Sequence, residues 1–166
     1  MKLAAVIGLF IALMGVRPYE SRAQTHAPPS DFAFRFEFGL CTTDVMDTFE
    51  NTFTRDVNSD QYPATSVSLV LPAATIQAIY DALVNARFFE YPSEFHVESS
   101  SVVVPSSHYR LEVRSGGAKH TVSWRDDSGT STAQKDQLRS LFKKIASLIH
   151  ARPEVQRFFT SIVVCA

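Results

Sequence analysis

Phe32-Ala33-Phe34-Arg35-Phe36-Glu37-Phe38 alternates without a break, placing four Phe on one side and Ala, Arg and Glu on the other. Successive side chains of an extended chain point to opposite faces, so this period of two predicts a strand with one apolar and one polar face. Gly39 ends it. A strand of this kind belongs to a sheet with one face on a core and the other in water.

Working outward from it, residues 44–57 read in two ways. Val45, Phe49 and Phe53 have helical spacing, while three Thr and a central Glu50-Asn51 favour a hairpin with strands at 45–49 and 52–57. The β-branched content decides for the hairpin. Val67, Leu69 and Leu71 alternate as a further strand. Pro72 then stands where a helix can start without losing a hydrogen bond, and Ile76, Ile79, Tyr80 and Leu83 follow at helical spacing, predicting a helix over 73–86. Phe88-Phe89-Glu90-Tyr91-Pro92 ends that helix with rings expected to cap the core. Residues 96–107, rich in Ser and Val, read as a loop.

Residues 109–114 and 119–124 flank Ser115-Gly116-Gly117-Ala118. A two-residue turn at the glycines pairs Ser115 with Ala118, and counting outward sets Val113 against His120, Leu111 against Val122 and Tyr109 against Trp124 on one face. Arg110, Glu112 and Arg114 then oppose Lys119, Thr121 and Ser123 on the solvated face. After a polar loop at 125–130, Leu138, Leu141, Phe142, Ile145, Leu148 and Ile149 predict an amphipathic helix over 133–151, capped by Ser131 or Thr132. A short helical turn follows Pro153, and 162–164 reads as a final strand or tail. The expected fold class is α+β: an antiparallel sheet of about six strands with two amphipathic helices on one face.

At the N-terminus, Lys2 precedes an apolar run from Leu3 to Val16, and a polar stretch carries Ser21-Arg22-Ala23. The run spans about 21 Å against the roughly 30 Å of a bilayer core, so it reads as a cleavable signal peptide, residues 1–23, rather than an anchor or buried helix. Residues 24–31 form an extended leader, and 32–166 a single domain. Cleavage removes three basic residues and one acidic, taking the formal net charge from −1 to −3. Without a basic cluster, nucleic acid and anionic membranes are excluded as partners. No membrane span remains after cleavage, and the expected location is periplasmic or extracellular.

No motif carries recognisable chemistry. The five His lack metal-ligand spacing, and His120 falls on the core face, where a hydrogen-bonded packing role is expected. Asp126-Asp127-Ser128-Gly129-Thr130 gathers oxygen atoms but lacks the pattern of a calcium loop, so capping is the reading adopted. Asp44 and Asp47 near Cys41 would raise rather than lower a thiol's pKa, which opposes a nucleophilic role. No catalytic, metal or cofactor site is assigned. Cys41 and Cys165 form an even pair in an exported chain, consistent with a disulfide, while two unpaired thiols remain the alternative. Arg110, Glu112, Arg114 and Lys119 are the candidate interaction surface, with a solvated sheet face as the plainer reading.

Phe34-Arg35-Phe36-Glu37-Phe38-Gly39-Leu40-Cys41-Thr42-Thr43-Asp44, then Asp47-Thr48-Phe49, Phe88-Phe89-Glu90-Tyr91-Pro92, Ser123-Trp124 and the closing helix, resembles a group of small secreted bacterial proteins. The resemblance spans most of residues 32–150 and implies no activity. It does imply the hairpin at 43–57 and a place for Cys41 in the domain's design; Cys165 lies outside it. The function expected is a non-catalytic exported domain binding a protein or small ligand, near the Cys41 loop and the aromatic cluster at 88–91. The rivals are an envelope hydrolase and a secreted enzyme inhibitor acting through a loop such as 96–107.

Overall fold

The computed structural model describes residues 27–57 and 63–160. The signal peptide expected at 1–23, the final strand or tail expected at 162–164 and Cys165 lie outside them. Strands β1 (Ala33–Gly39), β2 (Thr43–Asp47), β3 (Thr52–Asp56) and β4 (Thr65–Ser68) precede helix α1 (Ala73–Asn85). Strands β5 (Glu94–Phe95), β6 (Val102–Ser115) and β7 (Ala118–Ser128) follow, then α2 (Ala133–His150) and the short α3 (Pro153–Gln156).

The molecule is α+β, with one sheet in the order β4-β3-β2-β1-β6-β7-β5. The sheet has seven strands rather than six, and it is mixed: β5 runs parallel to β7 while all other pairs are antiparallel. The extra strand comes from Glu94 and Phe95, too short a segment to leave a periodic signal. Phe34, Phe36 and Phe38 of β1 are buried, Arg35 and Glu37 are not, and the strand ends at Gly39 as its alternation requires.

The β6–β7 hairpin has the register its glycine turn dictates, with Val113 opposite His120, Leu111 opposite Val122 and Tyr109 opposite Trp124. Gly116 and Gly117 both take positive φ, 61° and 78°. Both strands run further than expected. Residues 102–107, read as loop, extend β6, and residues 125–128, read as polar loop, extend β7. The ladder pairs Val102 with Ser128 and Ser107 with Asp126, and its register shifts between them, so the added stretch is irregular.

Pro72 caps α1 and Thr132 caps α2, the Thr132 side chain accepting a hydrogen bond from the Lys135 N–H at 3.1 Å. Phe36 lies between Tyr109, 6.4 Å away, and Phe142 of α2 at 5.4 Å, while Trp124 stacks on Tyr109 at 5.5 Å. Each such side chain contributes about 1.5–3 kcal/mol by leaving water. The ring cluster behaves only partly as expected: Phe88 and Tyr91 are buried, but Phe89 is 41% exposed.

Asp31, the last residue of the expected leader, is tied to the β6–β7 turn. Asp31 accepts hydrogen bonds from the Gly116 and Gly117 N–H groups at 2.8 and 2.7 Å, which hold its carboxyl below the usual carboxylate range.

Candidate interaction face

Because α1, α2 and α3, the α-helices of the described residues, lie on the side of Phe34, Phe36 and Phe38, alternation sends every second residue of the sheet to an open face. Arg110, Glu112, Arg114 and Lys119 stand together there, as their register predicts, beside Arg35 and Glu37 of β1. Arg35 and Glu37 extend the surface expected from the hairpin alone, and the alternation at 32–38 already set them on the polar side.

Some of these charges form ion pairs, while Arg110 and Arg114 take uncharged partners. Lys119 Nζ lies 2.8 Å from Glu112 Oε1, and Arg35 meets both Glu37 and Asp47 at 3.0 Å. Arg110 donates to the Ser123 hydroxyl at 3.2 Å. Arg114 donates to the Asp31 carbonyl at 3.3 Å and lies 5.0 Å over the Phe49 ring. Exposed pairs of this kind contribute only about 0–1 kcal/mol each, so a partner can exchange them for its own contacts at small cost. At the β1–β2 end, His108 lies 3.5 Å from the Thr43 hydroxyl. Burial pushes its imidazole below the ordinary value, Arg125 adds to the shift and Glu37 opposes it.

The Cys41 loop and the ring cluster at 88–91 do not line one groove. Asp44, just after the Cys41 loop, bonds His150 at the C-terminal end of α2 at 2.9 Å. Tyr91 donates to the Gln134 carbonyl and the Gln137 side chain near the other end, at 3.0 and 3.2 Å. At 1.5 Å per residue the helix separates these points by about 20 Å. Tyr91, whose hydroxyl pKa burial raises, instead lines a cleft of about 500 Å³ with Arg87, Glu90, Phe95, Gln134 and Gln137.

Asp44 and Asp47 point to opposite faces of β2, so the two carboxylates near Cys41 do not converge. Asp44 is buried beside Arg55, 3.7 Å away, and His150. Asp47 takes Arg35 on the open side and caps the Phe49 N–H at 2.8 Å. His120 lies on the core side with its ring 5.3 Å from Phe88, and its buried Nε2 has no hydrogen-bond partner among the described residues.

The oxygens at 126–130 are held by an internal cation. Lys135, 2% exposed, donates from Nζ to the Ser128 carbonyl and to the Thr130 carbonyl at 3.0 Å, and lies 3.3 Å from Asp126 Oδ1. Arg139 grips the same carboxylate with two bonds of 2.6 and 2.7 Å. Burial raises the Asp126 pKa, but the two cations outweigh it and the net shift is downward. No helix in the described residues is long and apolar enough to cross a membrane.

Fold and face together define an α+β domain with one helix-covered and one open sheet surface. Compared with known protein families and with curated proteins, the chain matches none.

Proposed function

We propose that this protein is an exported, non-catalytic binding domain whose open sheet face docks a protein partner of mixed charge. The observation that carries this reading is the face, free of helices among the described residues, on which the weakly held ion pairs Arg35–Glu37 and Glu112–Lys119 stand beside Arg110 and Arg114. A flat surface of interspersed charge suits a broad polypeptide contact, in which complementary charges set register and association rate. Export, to the periplasm or beyond, rests on the charged, apolar and small-residue order of the first 23 residues. A bridge between Cys41 and Cys165 fits that compartment, and it is supported by the even cysteine count and by Cys41 not being a free thiol.

A photoreactive side chain at Arg125, exposed on the open face, and another at Lys144, exposed on α2, test the docking surface in the producing cell. The expected result is one adduct of defined mass from position 125 and none from 144, abolished by Arg110→Glu with Lys119→Glu. Equal labelling from both positions, or an adduct indifferent to the charge reversals, would remove the open face as the docking surface.

A further inference from the structure

Where the open face meets the β1–β2 turn, two arginines have no charged partner among the described residues. The ladder sets His108 between Gly39 of β1 and Arg125 of β7, and sets Arg110, two residues further along β6, between Glu37 and Ser123. Among the described residues Arg125 makes neither a hydrogen bond nor an ion pair, and Arg110 bonds only the Ser123 hydroxyl. The carboxylates around them are Glu37, Glu94 opposite Ser123, and Asp127 on β7. Glu37 is engaged by Arg35 at 3.0 Å, and none of the three forms an ion pair with Arg110 or Arg125.

The backbone leaves room beside them. Gly39 puts no side chain on the face, and the His108 imidazole lies over it. A Cβ at that position would stand 3.4 Å from His108 Cε1, while His108 Nε2 is 3.5 Å from the Thr43 hydroxyl. The groups around the ring are Glu37 on β1, Thr43 on β2 with Asp56 opposite it on β3, Arg110 on β6, and Arg125 and Asp127 on β7. Arg110 and Arg125 are diagonal neighbours on adjacent strands, roughly 7–8 Å apart at the backbone, a gap that long side chains close from both sides.

A guanidinium presents two parallel N–H groups that match the two oxygens of a carboxylate. We propose that this corner holds a carboxylate of the docked protein, an Asp or Glu side chain in an acidic segment, between Arg110 and Arg125, with His108 gaining a proton as it arrives. The carboxylate belongs to the partner of the open face, so the site rests on that docking reading. In the unbound protein burial and Arg125 hold the imidazole below its ordinary value, and Glu37 opposes them. An incoming carboxylate offsets the Arg125 charge and favours the imidazolium, so binding takes up a proton and tightens as pH falls.

Nuclear magnetic resonance of the His108 ring, in protein purified from the producing cell, reads that proton directly. The probe is acetyl-hexaaspartate amide, whose side chains stay largely ionised from about pH 5.5 to 7.5. It should raise the His108 pKa by about half a unit or more and bind about threefold or more tightly at the acid end of that range, the two effects being linked. Arg125→Ser should weaken binding about fivefold or more, whereas Lys144→Ser, the same loss of charge on α2, should change it less than about twofold. His108→Gln should abolish the pH dependence. No binding up to about 10 mM peptide, equal weakening by Arg125→Ser and Lys144→Ser, or an affinity indifferent to pH would each overturn the proposal. An adduct from position 125 in the cell with no carboxylate binding here removes the site and leaves the docking face. Carboxylate binding with no adduct keeps the site and removes the docked protein.

Discussion

A lysine ammonium offers three N–H donors, and Lys135 places them on Ser128, Thr130 and Asp126. Removing the charge leaves two carbonyls unpaired and Asp126 facing Arg139 alone. Lys135→Met should therefore cost about 3–5 kcal/mol, as breaking a buried ion pair does, read as a shift in urea unfolding. A change below about 1 kcal/mol would mean that the carbonyls find water. His108 gives a pH effect of defined sign. Its folded-state pKa lies below the unfolded value, so the folded state binds fewer protons and stability is highest above about pH 6.5. As pH falls from about 7.5 to 5.5 the melting temperature should drop, and His108→Gln should flatten that slope; equal slopes would show that another group titrates there.

Among the elements, the β1–β2 turn is the most constrained by sterics. A Cβ on Gly39 would fall 1.7 Å from the Thr42 carbonyl oxygen, a backbone atom that cannot move aside without reopening the turn. Gly39→Ala should accordingly destabilise by about 3 kcal/mol, measurable by chemical denaturation, and a neutral result would show that the turn has a second conformation. Both long helices and the hairpin register were legible because periodicity and a glycine turn are local signals. The added lengths of β6 and β7 were not, since Ser107 and Asp126 have poor strand propensity and are held extended by pairing with each other across the ladder. Nor was Lys135 recognisable as buried, because a lysine in the first turn of an amphipathic helix reads as solvated. The Asp44–His150 pair joins residues 106 positions apart, which no spacing rule reaches. Of the open face, alternation gave Arg110, Glu112, Arg114 and Lys119 and set Arg35 and Glu37 on the polar side; it did not reach Arg125, which lies in the stretch read as loop, nor how the charges pair.

At the scale of the whole molecule, the proposed Cys41–Cys165 bridge would close a loop of more than 120 residues. Chain entropy makes such a closure worth about 4–5 kcal/mol, mostly by restricting the unfolded chain. Protein recovered from the producing cell should have an intact mass beginning at Gln24 and take up alkylating reagent only after reduction, with unfolding shifted to lower urea once reduced. Two alkylated thiols before reduction would refute the bridge, and a mass beginning at Met1 would refute cleavage.

The ammonium seated at the junction of β7 and α2 has one more implication. Domains that neutralise a cluster of oxygens with a dissolved ion depend on its supply, and they loosen when it is chelated or diluted. Here the cation is covalently part of the helix it secures, at an effective concentration that the medium cannot lower. The turn at 128–132 should thus keep its shape in surroundings stripped of divalent metal as well as in those rich in it.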